Sequence, residues 1–186
     1  MSLRPPALDP VAVEPVSRSG YPEPYRSRVL PRVKRPLGDP LGLTRVGINH
    51  TTLPPGKESS MRHWHTHEDE FVYVLEGEVV LRTGAGEQVL RAGMCAGFPA
   101  GRDDGHQLVN RSDRPVVYLE ISNRDPGDTA HYADADVDLV WSPPHAPGRF
   151  TRRDGTPDAH AIPGAGTAPA WGVQSVPAAT VRLPAN

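Results

Sequence analysis

The apolar positions of this chain fall into short runs separated by turn residues, and those runs crowd into residues 41–125. Leu43 to Leu53 is rich in β-branched residues and stops at Pro54-Pro55-Gly56. Met61 to His65 reads as a second, shorter strand. Phe71 to Leu75 and Val79 to Thr83 flank Glu76-Gly77-Glu78, a hairpin signal. Thr83-Gly84-Ala85-Gly86 turns the chain into Glu87 to Leu90, and Arg91-Ala92-Gly93 breaks it before Met94 to Phe98. Gly105 to Val109 and Val116 to Ser122 follow, the last alternating Val117, Leu119 and Ile121 with Val116, Tyr118 and Glu120. No segment of about 12 residues repeats with a helical period. About eight short strands joined by Gly-rich turns predict an all-β fold, a closed sandwich or barrel of the jelly-roll class.

Proline marks the boundaries. Of 22 prolines, nine lie in residues 1–40, eight in residues 143–186 and only five between. The ends therefore cannot form long helices or central strands. Residues 1–40 read as a proline-rich arm. It carries Tyr21, Tyr25, Val29, Leu30, Val33 and Leu37, so it is expected to pack on the barrel or on a partner subunit. Residues 126–164 are acidic and irregular, with a turn signal at Asp154-Gly155, and are expected to wrap on the barrel. Residues 165–186 are rich in Ala, Pro, Thr and Val and poor in charge, which predicts a disordered tail. The run from His131 to Leu139 imitates part of a calcium loop but lacks its glycine and terminal Glu.

Composition narrows the classes. The 186 residues are enough for one domain with a sizeable core. A net charge of -2 gives no basic footprint for nucleic acid. No apolar run approaches the roughly 18 residues of a membrane span, and the N-terminus has no signal-peptide core. A cytoplasmic location is the resulting expectation. Cys95 is the only cysteine, so no intrachain disulfide exists, and its apolar neighbours predict a small buried hydrophobe.

Four residues point to chemistry. His63 and His65 are two apart, so a strand places both imidazoles on one face. Glu70 adds an oxygen ligand past a short turn, and His106 closes the set from a distant strand. Three histidines and a carboxylate suit one divalent ion per subunit, Mn, Fe, Ni, Co or Zn, with positions left open for a small-molecule substrate. His67 shares the parity of the pair, so His65, His67 and Glu70 form a second possible set. His67, Tyr73 and Tyr118 are the candidates for lining a substrate pocket, and His67, Glu68 and Tyr73 for a general base.

The spacing resembles the two cupin motifs. His63-x-His65-x4-Glu70-x6-Gly77 fits the first, with Gly56 one residue further upstream than usual. Gly93-x5-Pro99-x-Gly101 and His106-x3-Asn110 fit the second, with four residues before the histidine where two are usual. The likeness to a bacterial group of single-domain cupins extends to Tyr21-Pro22-Glu23-Pro24, Gly97-Phe98-Pro99-Ala100-Gly101 and Arg153-Asp154-Gly155-Thr156-Pro157. The resemblance implies a double-stranded β-helix with extended N- and C-terminal segments. It implies His63, His65, Glu70 and His106 as ligands, and Gly77, Gly93, Pro99, Gly101 and Asn110 as architectural residues.

Three functions fit such a site. One is a metal-dependent isomerase, lyase or decarboxylase that uses Lewis-acid chemistry on an oxygen-rich substrate. A second is a mononuclear non-haem iron dioxygenase. A third is a ligand-binding or sensor module without turnover. The arm also predicts assembly, because its aromatic groups need a surface and closed homodimers are the commonest oligomers. Light scattering is expected to give twice the chain mass for the full chain and a weaker dimer once residues 1–38 are deleted.

Overall fold

The computed structural model describes residues 3–134, 138–140 and 149–156. The expected tail over 165–186, and His145 and His160, lie outside these residues. The described chain is all-β apart from a 3-10 turn at Pro10–Ala12 and a five-residue helix, α1, at Tyr25–Val29. Its strands are β1 (Val33–Pro36), β2 (Val46–Leu53), β3 (His63–His65), β4 (Glu70–Glu76), β5 (Glu78–Thr83) and β6 (Gly86–Arg91). They continue as β7 (Cys95–Phe98), β8 (Gln107–Val109), β9 (Val116–Asn123), β10 (Thr129–Tyr132), β11 (Asp138–Val140) and β12 (Arg149–Thr151).

A five-stranded sheet in the order β1-β2-β9-β4-β7 forms one wall of a jelly roll. The opposing wall is a three-stranded sheet, β6-β5-β8, and a four-stranded sheet, β12-β11-β10-β3. A bridge between His63 and His106 joins the two smaller sheets, each backbone N–H donating to the other's carbonyl at 3.1 and 2.8 Å.

Alternation decides which side chains enter the core. On β4, Val72 and Val74 are buried while Phe71, Tyr73 and Leu75 face outward. Val72 and Val74 meet Leu53, Val79, Leu81, Leu90, Leu108, Val116 and Tyr118. Each fully buried aliphatic side chain there contributes about 1.5–3 kcal/mol. A second cluster holds Met61, Ala130, Tyr132 and Phe150, with Tyr21 and Tyr25 of the arm against it.

The structure revises three readings of the sequence. The stretch from Leu43 to Arg45 precedes β2 as a turn, with Gly42 at φ 72°. β1 lies inside the arm yet forms the edge of the five-stranded sheet, so arm and barrel share one hydrogen-bonded wall. Pro36 is tolerated because an edge strand does not need every N–H. Cys95 is exposed, not buried. It stands opposite the outward-facing Tyr73, while Ala96 and Phe98 take the inward positions of β7.

Asn110 is fully buried and ties three segments together. Its Nδ2 donates to the carbonyls of Leu53 and Arg114 at 2.8 and 2.7 Å, and its Oδ1 accepts from Ser112 N and Oγ. Replacing Asn110 with Ala takes this donor from the buried Leu53 carbonyl and is expected to cost about 1–3 kcal/mol in denaturant unfolding.

Candidate metal centre

The bridge between His63 and His106 sets the two imidazoles side by side, with ring centroids 4.8 Å apart. His65, two residues along β3, presents its ring to the same interior at 5.0 Å from that of His63. Glu70 opens β4 and points inward with Val72 and Val74. Its Oε2 lies 2.8 Å from His106 Nε2, 3.5 Å from His65 Nε2 and 3.6 Å from His63 Nε2. Ligand atoms of His63, Glu70 and His106 all fall within 4.8 Å of one another.

The donor set fits a cation. Glu70 Oε2 is buried and makes no well-formed hydrogen bond, despite its nearness to His106 Nε2. Nitrogen and oxygen atoms crowd one point without bonding each other, as lone pairs directed at a shared ion would. The outer ring nitrogens support this tautomer. His63 Nδ1 donates to Met61 O at 2.9 Å, and His65 Nδ1 donates to Asp128 Oδ2 at 2.5 Å. Both leave Nε2 facing Glu70, the carboxylate–histidine arrangement that orients metal ligands.

Asp128 anchors the His65 ring, a contact that the sequence did not reveal. Its side chain is fully buried. Its Oδ1 accepts from His67 N at 2.8 Å and from Glu68 N and Thr66 Oγ1 at 3.2 Å. Asn123 secures the same turn, accepting from Asp69 N and donating to His67 O. The turn from His65 to Glu70 is thus held by side chains about 60 residues away in sequence. Nothing periodic flags them, because both sit in the irregular stretch around the end of β9.

Burial alone would lower the basicity of His63 and His65. It pushes His63 down to about 3, helped by His106 and His65 and opposed by Glu70. For His65 burial is outweighed by Asp128, Glu70 and Glu68, which hold it up at about 9. Burial opposes ionisation of Glu70, yet the three histidines keep its carboxyl well below the usual carboxylate range. Glu68, half out of water, is pushed up to about 7 by burial, with the Asp125 N–H pulling the other way.

A cavity of about 440 Å³ opens beside Glu70, His65 and His106. Trp64, Leu81, Leu90 and Phe98 give it apolar walls, and Glu68, Thr83, Gln88, Arg102 and Asp104 give it polar ones. Phe98 stacks on the His106 ring at 3.6 Å. Trp64 both borders the cavity and stacks on His131 at 4.3 Å. The three pocket candidates fare differently. His67 is exposed and bonds Thr66 Oγ1. Tyr73 lies on the outer face, since a three-residue offset from Glu70 on one strand reverses the side. Tyr118 faces inward but sits wholly buried in the core, away from the cavity wall.

A family model for the cupin domain matches residues 49–122. A sugar phosphate isomerase of the cupin superfamily from Silicibacter pomeroyi is 41% identical, covering 82% of this chain and 96% of its own, with a TM-score of 0.78. This chain belongs to the cupin family. A putative sugar phosphate isomerase from Acidithiobacillus ferrooxidans is 30% identical over 65% of this cupin and 76% of its own chain, at a TM-score of 0.61. The tetracenomycin polyketide synthase protein TcmJ of Streptomyces glaucescens is 32% identical over 108 residues, 58% of this cupin and 69% of that protein. No helix among the described residues is long and apolar enough to cross a membrane.

The His65–Asp128 pair makes stability depend on pH in a defined direction. With His65 raised from 6.5 to about 9, its contribution to the metal-free fold is complete below pH 6.5 and is lost as pH climbs through about 9. Thermal melts of chelator-treated protein are expected to fall across that window. In Asp128→Ala the decline is expected to flatten, because the hydrogen bond that raises His65 is gone.

Proposed function

We propose that this cupin is a metal-dependent enzyme acting on a small hydroxy- or keto-compound, with proton-transfer chemistry of the isomerase, lyase or decarboxylase kind. The observation that supports it is the convergence of His63, Glu70 and His106, with His65 Nε2 3.5 Å from the Glu70 carboxylate, beside a cavity with mixed polarity. His63, His65, Glu70 and His106 would hold one divalent ion. When bound, such an ion supplies Lewis-acid polarisation of a substrate oxygen. The chain supplies the rest. Trp64, Leu81, Leu90 and Phe98 exclude water from one side of the cavity, which strengthens every polar contact inside it. Thr83, Gln88 and Arg102 offer hydrogen bonds to hydroxyl groups.

Glu68 is placed to move the proton. It borders the cavity, and its Oε1 is anchored by Asp125 N–H at 3.1 Å. Of the sequence's three candidates for a general base, it is the one that reaches the cavity wall. Isomerisation is the preferred member of the set, because the Silicibacter pomeroyi relative that supports it matches almost its whole length.

Metal analysis of the purified protein is expected to find about one divalent ion per chain, with Asp128→Ala lowering affinity about 10–100-fold. The reaction is tested in deuterium oxide with a panel of aldoses, hydroxyketones and their phosphates, followed by proton NMR. Metal-dependent deuterium uptake next to a carbonyl, lost in Glu68→Gln, is the expected result. Oxygen consumption by the iron-loaded protein without such uptake would favour the dioxygenase reading. Tight ligand binding with neither would favour a sensor.

A further inference from the structure

The second cupin motif is longer than usual in this chain, and the cavity shows where the extra length goes. The segment Arg102-Asp103-Asp104-Gly105 leads from Gly101 to His106, and Arg102 and Asp104 both border the cavity. Its backbone is pinned at each end. Ala100 N donates to Asp69 Oδ1 and Gly101 N to the His65 carbonyl, both at 2.8 Å. Gly101 turns the chain at φ 73°, a conformation that suits glycine. Gly105 is buried, and a Cβ there would stand 2.7 Å from that of Ala133. Between these ends Asp104 Oδ1 accepts from Gly84 N, in the turn from β5 to β6, at 2.6 Å. The segment is thus fixed to the ligand turn on one side and to the β5-β6 hairpin on the other.

Arg102 is the residue that this frame leaves unused. It is exposed, and among the described residues it makes no hydrogen bond or ion pair. It is also the one Lys or Arg that borders the cavity. The carboxylates around the same cavity face other groups. Asp104 takes the Gly84 N–H, Glu68 takes the Asp125 N–H, and Glu70 lies among the histidine rings.

A surface guanidinium is ordinarily a solvated charge. Here a fixed backbone carries it at the wall of a 440 Å³ cavity, within the roughly 300–1,000 Å³ of small-molecule sites, where a few placed polar groups set orientation. A guanidinium presents a planar fork of donors that matches the oxygens of a carboxylate or phosphate. His65, Glu70 and His106 border the same cavity, so one small molecule can meet both. We propose that Arg102 is the specificity residue of this cavity, binding a phosphate or carboxylate at one end of the substrate while the other end meets the candidate metal centre. The assignment rests on the function proposed above. It narrows the substrates to small hydroxy- or keto-compounds with an anionic end, and it gives the lengthened motif a role in choosing them.

The test measures binding of glycerol 3-phosphate, glycerate and glycerol to the full chain by calorimetry, in metal-loaded and chelator-treated samples whose metal content is determined. Wild type is expected to bind at least one of the two anions about 10-fold or more tightly than glycerol. Arg102→Gln is expected to lose about 10–100-fold in affinity for that anion and to bind glycerol as wild type does. Arg102→Lys is expected to keep part of the preference, and the surface control Arg114→Gln all of it. Because the Arg102 side chain makes no polar contact in the fold, its variants are expected to melt with wild type. Preference for glycerol 3-phosphate assigns a phosphate ester, and preference for glycerate assigns a carboxylate. Equal affinity for the anions and for glycerol overturns the proposal. So does an anion preference that survives Arg102→Gln unchanged, which would place the anion on the metal. An Arg102-dependent preference in protein that takes up no metal would leave the role of Arg102 standing and refute the metal reading instead.

Discussion

One buried carboxylate holds the candidate site together. Asp128 accepts from the His65 ring, from two backbone N–H groups and from the Thr66 hydroxyl. Its position explains its reach. It lies between β9, in the five-stranded sheet, and β10, which pairs with β3 in the opposing wall. A carboxylate buried at that junction must be satisfied from both sides. Satisfying it fixes the turn that brings Glu70 under the histidines. The ligand geometry is therefore a consequence of joining two sheets, and it does not depend on the turn sequence alone.

A second line of contacts runs from the arm to the same place. Tyr21 meets Tyr132 edge-on at 5.8 Å and Phe150 at 6.0 Å. Tyr132 lies 6.0 Å from the His63 ring and pairs with His63 across β10 and β3. Arm, wrap and ligand strand thus share one aromatic cluster. Removing any layer would leave His63 less constrained on its outer side, even though its Nδ1 keeps Met61.

How much of this was legible follows from what each feature depends on. Strand alternation and the His63, His65, Glu70 spacing are local, so the barrel and the four candidate ligands could be read directly. Tyr73 was open to correction by the same rule, because its offset from Glu70 turns it outward. Cys95 was misread because its apolar neighbours suggested burial, whereas strand parity gives the inside to Ala96 and Phe98. Asp128 and Asn123 act across about 60 residues through single hydrogen bonds, which no short pattern encodes. Arg32 is buried although it lies in the proline-rich arm, next to the strand that closes the edge of the sheet.

The interior that results is chemically two-sided. Beyond Glu70, the inward positions of β4 and β5 that join the core are apolar, namely Val72, Val74, Val79 and Leu81. On β1, β2 and β9 the inward positions include Lys34, Thr51, Tyr118 and Glu120. Folding alone does not call for that second half, since well-packed apolar residues generally stabilise at least as much as a buried ion pair. Burial drags Lys34 down to about 8 even with Glu120 against it, a direct sign of what the charge costs at this depth. The apolar half supplies the stability that lets the polar half exist. The barrel thus keeps its buried polar side chains on one wall, while Glu70, His65 and His106 line the cavity.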